Sequence, residues 1–288
     1  MLDLYALAKK ATSRLDKGPR RATLKALANI YCWLSRSHSR VDFDGDFWSR
    51  QCRETLITMV ENRNFWYSPA TLRRTPRLVR ESLAATTDYW FHEYCPTPGD
   101  TIVDVGAGAT LDIVTFSRSV GPTGHVIAIE AHPDTYAQMK RTVARNHLAN
   151  VTCIHVAAMD QKGRVQISDL DVAIANRVTI TRDVDSNVPA DSLDNVLGRI
   201  PDISSINYLK MNIEGAERYA LPGAVETLSR TQFATIAAHS FLATDTQASD
   251  CDTRDLVIQQ MQQMGFAIRL RADDPRPWVR DHIHCSRT

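Results

Sequence analysis

The sequence predicts an α/β fold on a mostly parallel sheet, on three observations. From about residue 97, short apolar, β-branched runs alternate with helical stretches. The first run, Thr101–Gly106, ends in glycine, and a helical stretch follows it directly. The last two runs, Phe266–Arg271 and Trp278–Cys285, are separated only by a short Pro-rich turn, which predicts an antiparallel pair on an otherwise parallel sheet.

The chain opens differently. Over residues 1 to about 95, Leu4, Leu7 and Ala8, then Leu24, Leu27 and Ala28, then Ile30, Tyr31 and Leu34 recur at helical spacing. Gly18-Pro19 breaks the first helix from the second. Asp42-Phe-Asp-Gly-Asp46 reads as a loop, Trp48 to Glu61 as a third helix and Arg77 to Tyr94 as a fourth. Pro96-Thr-Pro-Gly-Asp100 is a turn cluster and the expected boundary. Residues 1–95 are thus expected as a helical segment, serving as a cap over an acceptor or as a membrane or partner contact, and residues 96–288 as the main domain.

Within that domain the expected strands are Thr101–Gly106, His125–Ala131, Val151–Ala158, Ile206–Ile213 and Phe233–His239, before the final pair. Helices are expected after Gly108, closing at Gly121-Pro122, and over Pro133–Leu148, Glu217–Ser229 and Asp252–Met264, with Pro133 suited to a first turn. Residues 163–190 read as a small hairpin and a polar loop.

Composition narrows the function. The net charge is +1, so no nucleic-acid partner is expected, although the first eighty residues carry about twice as many Lys and Arg as Asp and Glu. The six cysteines are scattered without a C-x-x-C pair, which argues for reduced thiols. No apolar run approaches the roughly 18–20 residues of a membrane span, and the N-terminus lacks a signal peptide's order, so a cytoplasmic location is expected.

The chemical signal lies at Asp104-Val-Gly-Ala-Gly108. Gly106, Ala107 and Gly108 between strand and helix let the backbone approach a ligand and leave amides unpaired. Glu130, with Ala131 after it, ends the next strand about two dozen residues on, where a carboxylate can accept both hydroxyls of a ribose. Together these favour a Rossmann-like nucleoside site over a plain strand–turn–helix. Leu111 stands where the third glycine of G-x-G-x-x-G would be, which weighs against a dinucleotide.

Four stretches resemble the FkbM family of S-adenosylmethionine-dependent methyltransferases: Gly99–Gly108, Val126–Pro133, Ala190–Leu197 and Leu209-Lys-Met-Asn-Ile-Glu-Gly-Ala-Glu217, the last being the most specific. The resemblance covers roughly residues 97 to 245. It implies the class I methyltransferase fold, a seven-stranded sheet closed by an antiparallel hairpin, and S-adenosyl-L-methionine as cofactor. It also implies that Asp104, Gly106 and Gly108 line the cofactor's methionine part, Glu130 its ribose, and Ala158 and Met159 its adenine, with Asp160 in reach of the adenine amine. Family members with assigned activities methylate hydroxyl groups, often on sugars or natural products. Asn212 departs from the family, which usually has Asp there; Asn is no general base but can hydrogen-bond a substrate or the methionine ammonium.

Methyl transfer requires an aligned nucleophile and a proton acceptor. By strand alternation Lys210, Asn212 and Glu214 share one face and would orient acceptor and cofactor. His239, read as a strand end, is the candidate base. Each also has a plainer reading: Lys210 as a carboxylate's partner, Glu214 and Glu217 as helix-start residues, His239 as a hydrogen-bonded strand end. His239, Glu214, Asp191 and Asp194 raise the question of a divalent metal, but their spacing is too open and no metal is assigned. The aromatics Trp48, Phe65, Trp66, Tyr67, Tyr89, Trp90 and Phe91 are expected mostly as core. Arg73, Arg74, Arg77 and Arg80 are expected as a solvated helix face, with an anionic lipid or phosphorylated acceptor as the sharper alternative. The sequence thus reads as an O-methyltransferase for a small-molecule or glycolipid acceptor. The basic N-terminus is a candidate for peripheral membrane contact. Alternatives are a nicotinamide-dependent oxidoreductase, for which no Tyr-x-x-x-Lys dyad follows the fourth strand, and a non-catalytic cofactor-binding protein.

Overall fold

The computed structural model describes residues 15–65, 67–167, 178–179, 188–242 and 252–287. The helix expected over Leu4–Ala8, Trp66, Cys251 and most of the polar loop before Val188 lie outside the described residues. Contacts divide the chain into two compact units, one of Met1–Ala84, Ala109–Leu111 and Gln138–His147, the other of Ala85–Gly108, Asp112–Ala137 and Leu148–Thr288.

In the first unit, α1 (Arg20–Leu34) buries Leu24, Ala28 and Cys32 at the expected i, i+4, i+8 spacing. Strands β1 (Ser39–Phe43), β2 (Trp48–Cys52) and β3 (Thr58–Asn62) form an antiparallel sheet in that order. The helix expected over Trp48–Glu61 is therefore two strands. Trp48, Cys52 and Leu56 mimic helical spacing, but Leu56 is exposed and left-handed at φ 58°, at the turn between the strands. Asp42–Asp46 is a loop only from Asp44, whose Oδ1 accepts from the amides of Asp46 and Phe47 and turns the chain. Trp48 is fully buried, and its Nε1 donates to Asp16 Oδ1. Helix α2 (Pro69–Arg73) is capped by Ser68, and α3 (Thr75–Trp90) follows, its residues from Ala85 on being counted in the second unit. Arg77 pairs with Glu81 and Arg80 with Glu54 on its exposed surface. Within the same unit, Arg145 and Arg141 hold Asp42 and Asp44, and these contacts pull both carboxyls below their ordinary range against the opposing effect of burial.

The second unit alternates β4 (Thr101–Val105), α4 (Asp112–Val120), β5 (His125–Glu130), the first turn of α5 (Pro133–Arg145, which from Gln138 on is counted in the first unit) and β6 (Val151–His155). Strands β7 (Ala157–Ala158), β8 (Gly163–Ile167), β9 (Val178–Thr179) and β10 (Val188–Asp191) form a small side sheet. Then come α6 (Leu193–Leu197), β11 (Ile206–Met211), α7 (Glu217–Ala220), α8 (Val225–Ser229), β12 (Thr231–Ala237), α9 (Arg254–Gln263), β13 (Phe266–Leu270), α10 (Pro277–Arg280) and β14 (His282–Arg287). The main sheet has seven strands in the order β13-β14-β12-β11-β4-β5-β6. β14 runs antiparallel to both neighbours, while β12, β11, β4, β5 and β6 are mutually parallel. The near-continuous burial of β4, β5 and β11 follows from helices on both faces. Strand order reverses between β4 and β11, so the crevice at their carboxyl ends is the natural ligand position.

Four expectations shift. The strand over Val151–Ala158 divides, β6 ending at His155 and Ala157–Ala158 joining the side sheet. The helix over Glu217–Ser229 is interrupted at Leu221–Gly223, because Pro222 cannot continue it and Gly223 packs on Met159. Trp278 belongs to α10, which Pro277 starts, so the last strand begins only at His282. β12 ends at Ala237, two residues before His239. Beneath the sheet Trp90, Phe91, Phe116 and Tyr208 form an aromatic core. His282 stacks on Trp90 at 4.6 Å, and His284 Nδ1 lies 3.1 Å from the Thr235 hydroxyl.

Candidate active site

The loop after β4 is shaped by two glycines. Gly106 has φ +72°, and a Cβ there would lie 2.1 Å from the Asn212 carbonyl oxygen, so only glycine fits against the strand-end backbone of β11. Gly108 has φ +65° and points its amide at Glu130 Oε2, 2.9 Å away. Glu130 Oε1 accepts from the His132 amide at 2.8 Å. Glu130 is thus held by backbone amides rather than by a cation, at the end of β5 beside the glycine loop.

Asp104 and Lys210 lie beneath that loop. Both are buried: Lys210 Nζ sits 2.8 Å from Asp104 Oδ1, donates to the Gly106 carbonyl at 2.8 Å, and lies 5.1 Å from the Trp90 ring centre. Burial pushes the Asp104 carboxyl up to about 6, against the pull of Lys210. Asp104 therefore supports the loop instead of lining its open side. The expectation that Lys210, Asn212 and Glu214 share one face also fails. β11 ends at Met211, Asn212 donates its backbone N–H to the Val105 carbonyl, and Glu214 adopts a left-handed conformation at φ 54°.

A second cluster forms where the chain leaves β11 and β12. His239 is left-handed at φ 52°, a conformation uncommon outside glycine and concentrated at functional sites. Its Nε2 is 3.4 Å from Glu214 Oε2 and its Nδ1 is 3.7 Å from Glu217 Oε1. Burial disfavours the imidazolium, but the Glu217 carboxylate and the charges of Glu214 and Asp281 outweigh it and raise the His239 pKa above its ordinary 6.5. Burial likewise raises Glu214, partly offset by His239. Glu217 is fully buried; it accepts from the Ile213 and Gly215 amides, and its Oε2 is 3.0 Å from the Thr253 hydroxyl. Its helix-start position is real, yet its carboxylate turns toward His239. Thr253 gave no signal in the sequence, because only the fold brings the start of α9 to this place.

The remaining expected residues separate. Ala107 is buried in the loop, and Asn212 is half-exposed. Ala158 and Met159 are nearly buried, and the Met159 amide donates to the Asp191 carbonyl at 3.0 Å; Asp160 beside them is exposed, and Ala131 is half-buried. Asp191 pairs with Arg199 at 2.6 Å, and Asp194 accepts from the Glu226 and Thr227 amides. Among the described residues no group of three His, Cys, Asp or Glu side chains is arranged to hold a metal. None of the described cysteines Cys32, Cys52, Cys95, Cys153 and Cys285 forms a disulfide, and no described helix is long and apolar enough to cross a membrane.

A parallel sheet with this reversal point, a side-chain-free loop and a carboxylate at the next strand end defines a Rossmann-like nucleoside-binding domain of the class I methyltransferase kind. The chain belongs to the FkbM methyltransferase family: the Methyltransferase FkbM domain matches residues 104–268, more than half of its length. S-adenosylmethionine is the cofactor of that class. The loop fits it, since close backbone approach and a carboxylate acceptor suit an adenosine diol and need no phosphate partner. An arsenite methyltransferase of Halobacterium salinarum is 34% identical over 83 residues, 27% of this chain and 21% of that protein, so the chain spans about a fifth of this curated relative. Among solved structures, an FkbM methyltransferase of Methylobacillus flagellatus KT shares 16% identity, covering 75% of this chain and 60% of that one, with a TM-score of 0.45. Aeropyrum pernix fibrillarin with natively bound S-adenosyl-L-methionine shares 14%, covering 85% and 96%, with a TM-score of 0.43.

Proposed function

We propose that this chain transfers a methyl group from S-adenosylmethionine to a hydroxyl of a sugar, glycolipid or other small metabolite, with His239 as the base. The observation that carries the reading is His239 itself, a buried imidazole held left-handed between Glu214 and Glu217 at the carboxyl edge of the sheet. The cofactor supplies an electrophilic sulfonium methyl. Glu130 binds its ribose, the Gly106–Gly108 backbone lines its methionine part, and Asp160 is available to the adenine amine. Lys210 fixes the Gly106 carbonyl, and with it the floor of the loop. Asn212, half-exposed beside that floor, offers an amide to acceptor or donor. His239 takes the acceptor hydroxyl's proton at Nε2, on the side of Glu214. Glu217, anchored by two amides and Thr253, lies 3.7 Å from Nδ1, where its charge stabilises the imidazolium that results, the logic of a carboxylate behind a catalytic histidine.

The test is turnover of labelled S-adenosylmethionine on a panel of sugars, glycolipids and hydroxylated aromatics, with arsenite included because of the halobacterial relative. Methylated hydroxyl product supports the reading. Methylation of arsenite alone, or donor binding without turnover on any acceptor, removes it.

A further inference from the structure

We propose that the outward face of α1 docks on the surface of an anionic lipid bilayer. A helix on the outside of a globular unit normally turns polar residues to water, and one that is apolar all round is covered by something. α1 breaks the first pattern. Leu24, Ala28 and Cys32 face its own unit and are buried. On the opposite half, Ala22, Ala26, Leu27, Ile30, Trp33 and Leu34 share the face left by 3.6-residue periodicity, with Thr23 the only polar side chain among them. The four large members are open to solvent: Leu27 52%, Ile30 53%, Trp33 73% and Leu34 68%. They form one contiguous stripe, unlike the scattered single hydrophobics of ordinary surfaces.

The charges around the stripe choose its occupant. Lys17 and Arg20 are exposed at one end of the helix and Arg36 just past the other. Arg73 lies alongside, its guanidinium 5.8 Å from the Tyr31 ring. The nearby carboxylates are already taken: Asp16 by Arg21 and Trp48, Asp42 by Lys25 and Arg145. An apolar stripe with Trp and Leu, flanked by cations at both ends, matches a helix lying in the headgroup region with its cations among lipid phosphates. A second copy fits less well. Pairing two such faces, parallel or antiparallel, sets cations on cations with no open carboxylate between them. Residues 1–14 carry Lys9, Lys10 and Arg14 against Asp3 alone, so they too add positive charge to this end of the chain.

The test is flotation of the full chain with vesicles of phosphatidylcholine alone and of phosphatidylcholine mixed with phosphatidylglycerol, at about 0.1 M salt. The chain is expected to favour the anionic vesicles by about tenfold or more, and to release as salt rises. The triple variant Ile30→Gln/Trp33→Gln/Leu34→Gln is expected to lose flotation about tenfold, with its thermal unfolding and its donor affinity unchanged, since these side chains contact water. Arg20→Gln/Arg36→Gln is expected to reduce the preference for anionic over neutral vesicles. Failure of the full chain to float with anionic vesicles overturns the proposal, as does undiminished flotation of the triple variant. A parent dimer that the triple variant converts to monomer assigns the face to a second copy, and overturns it equally.

Discussion

Lys210 joins two parts of the candidate site, its ammonium 2.8 Å from the Asp104 carboxylate and 2.8 Å from the Gly106 carbonyl. Both side chains are shut away from water, so removing the cation strands a carboxylate in the core. Lys210→Met is expected to cost about 3–5 kcal/mol in urea unfolding. Lys210→Met/Asp104→Leu, which removes both charges, is expected to recover most of that loss while donor affinity stays reduced. A double variant that remains as unstable as the single one would show that the ion pair is not the source.

At His239 the expected signature is kinetic. His239→Ala should lower turnover by roughly 10²-fold or more with donor affinity unchanged in calorimetry. Equal turnover would strike the residue from the mechanism.

The pH profile probes the carboxylate behind it. A base must be neutral, and the His239 pKa lies above 6.5, so kcat/KM is expected to rise with pH through a midpoint above that value. Glu217→Gln removes one of the groups that favours the imidazolium, so the midpoint is expected to move toward lower pH. A Glu217→Gln profile that falls in amplitude without moving would assign Glu217 to folding alone.

Donor binding depends on Glu130. Glu130→Ala deletes the acceptor of two loop amides and the proposed grip on the ribose, and is expected to weaken S-adenosylhomocysteine binding by roughly 10-fold to 100-fold, on about 1.4 kcal/mol per decade. Retained affinity would place the nucleoside elsewhere.

Acid stability should report the sheet's far side. Burial, the largest cause in each case, depresses the pKa of His282 to about 4 and that of His284 to about 3. A histidine held neutral in the fold protonates first in the unfolded chain. Its contribution is complete above about 6.5 and declines as pH falls toward the folded value. Unfolding free energy is therefore expected to drop between pH about 6.5 and about 4, and His284→Phe is expected to flatten that slope.

What the residues revealed on their own follows from how local each signal is. The loop after β4, the carboxylate closing β5 and the antiparallel end of the sheet all rest on contiguous patterns, and each is present, the last with its final strand starting at His282 instead of Trp278. The hairpin at Trp48–Asn62 carries no such pattern, because three apolar residues four apart imitate a helix until burial shows that Leu56 faces water. Lys210 stands on its expected strand and pairs with a carboxylate, the plainer of its two readings, but the face it was to share with Asn212 and Glu214 was not legible, since alternation holds only while a strand lasts and β11 stops at Met211. Thr253 and the inward turn of Glu217 depend on contacts thirty-six residues apart, which no local window contains.

The place of β14 has a consequence for the edge of the sheet. β13 precedes β14 in the chain but sits outside it in the sheet, bonded to no other strand among the described residues. Until β14 is in place, the segment Phe266–Leu270 has no described strand to pair with and its backbone donors stand open. Such a strand invites foreign pairing. Any state in which β14 has left the sheet therefore leaves β13 open to pairing with another chain.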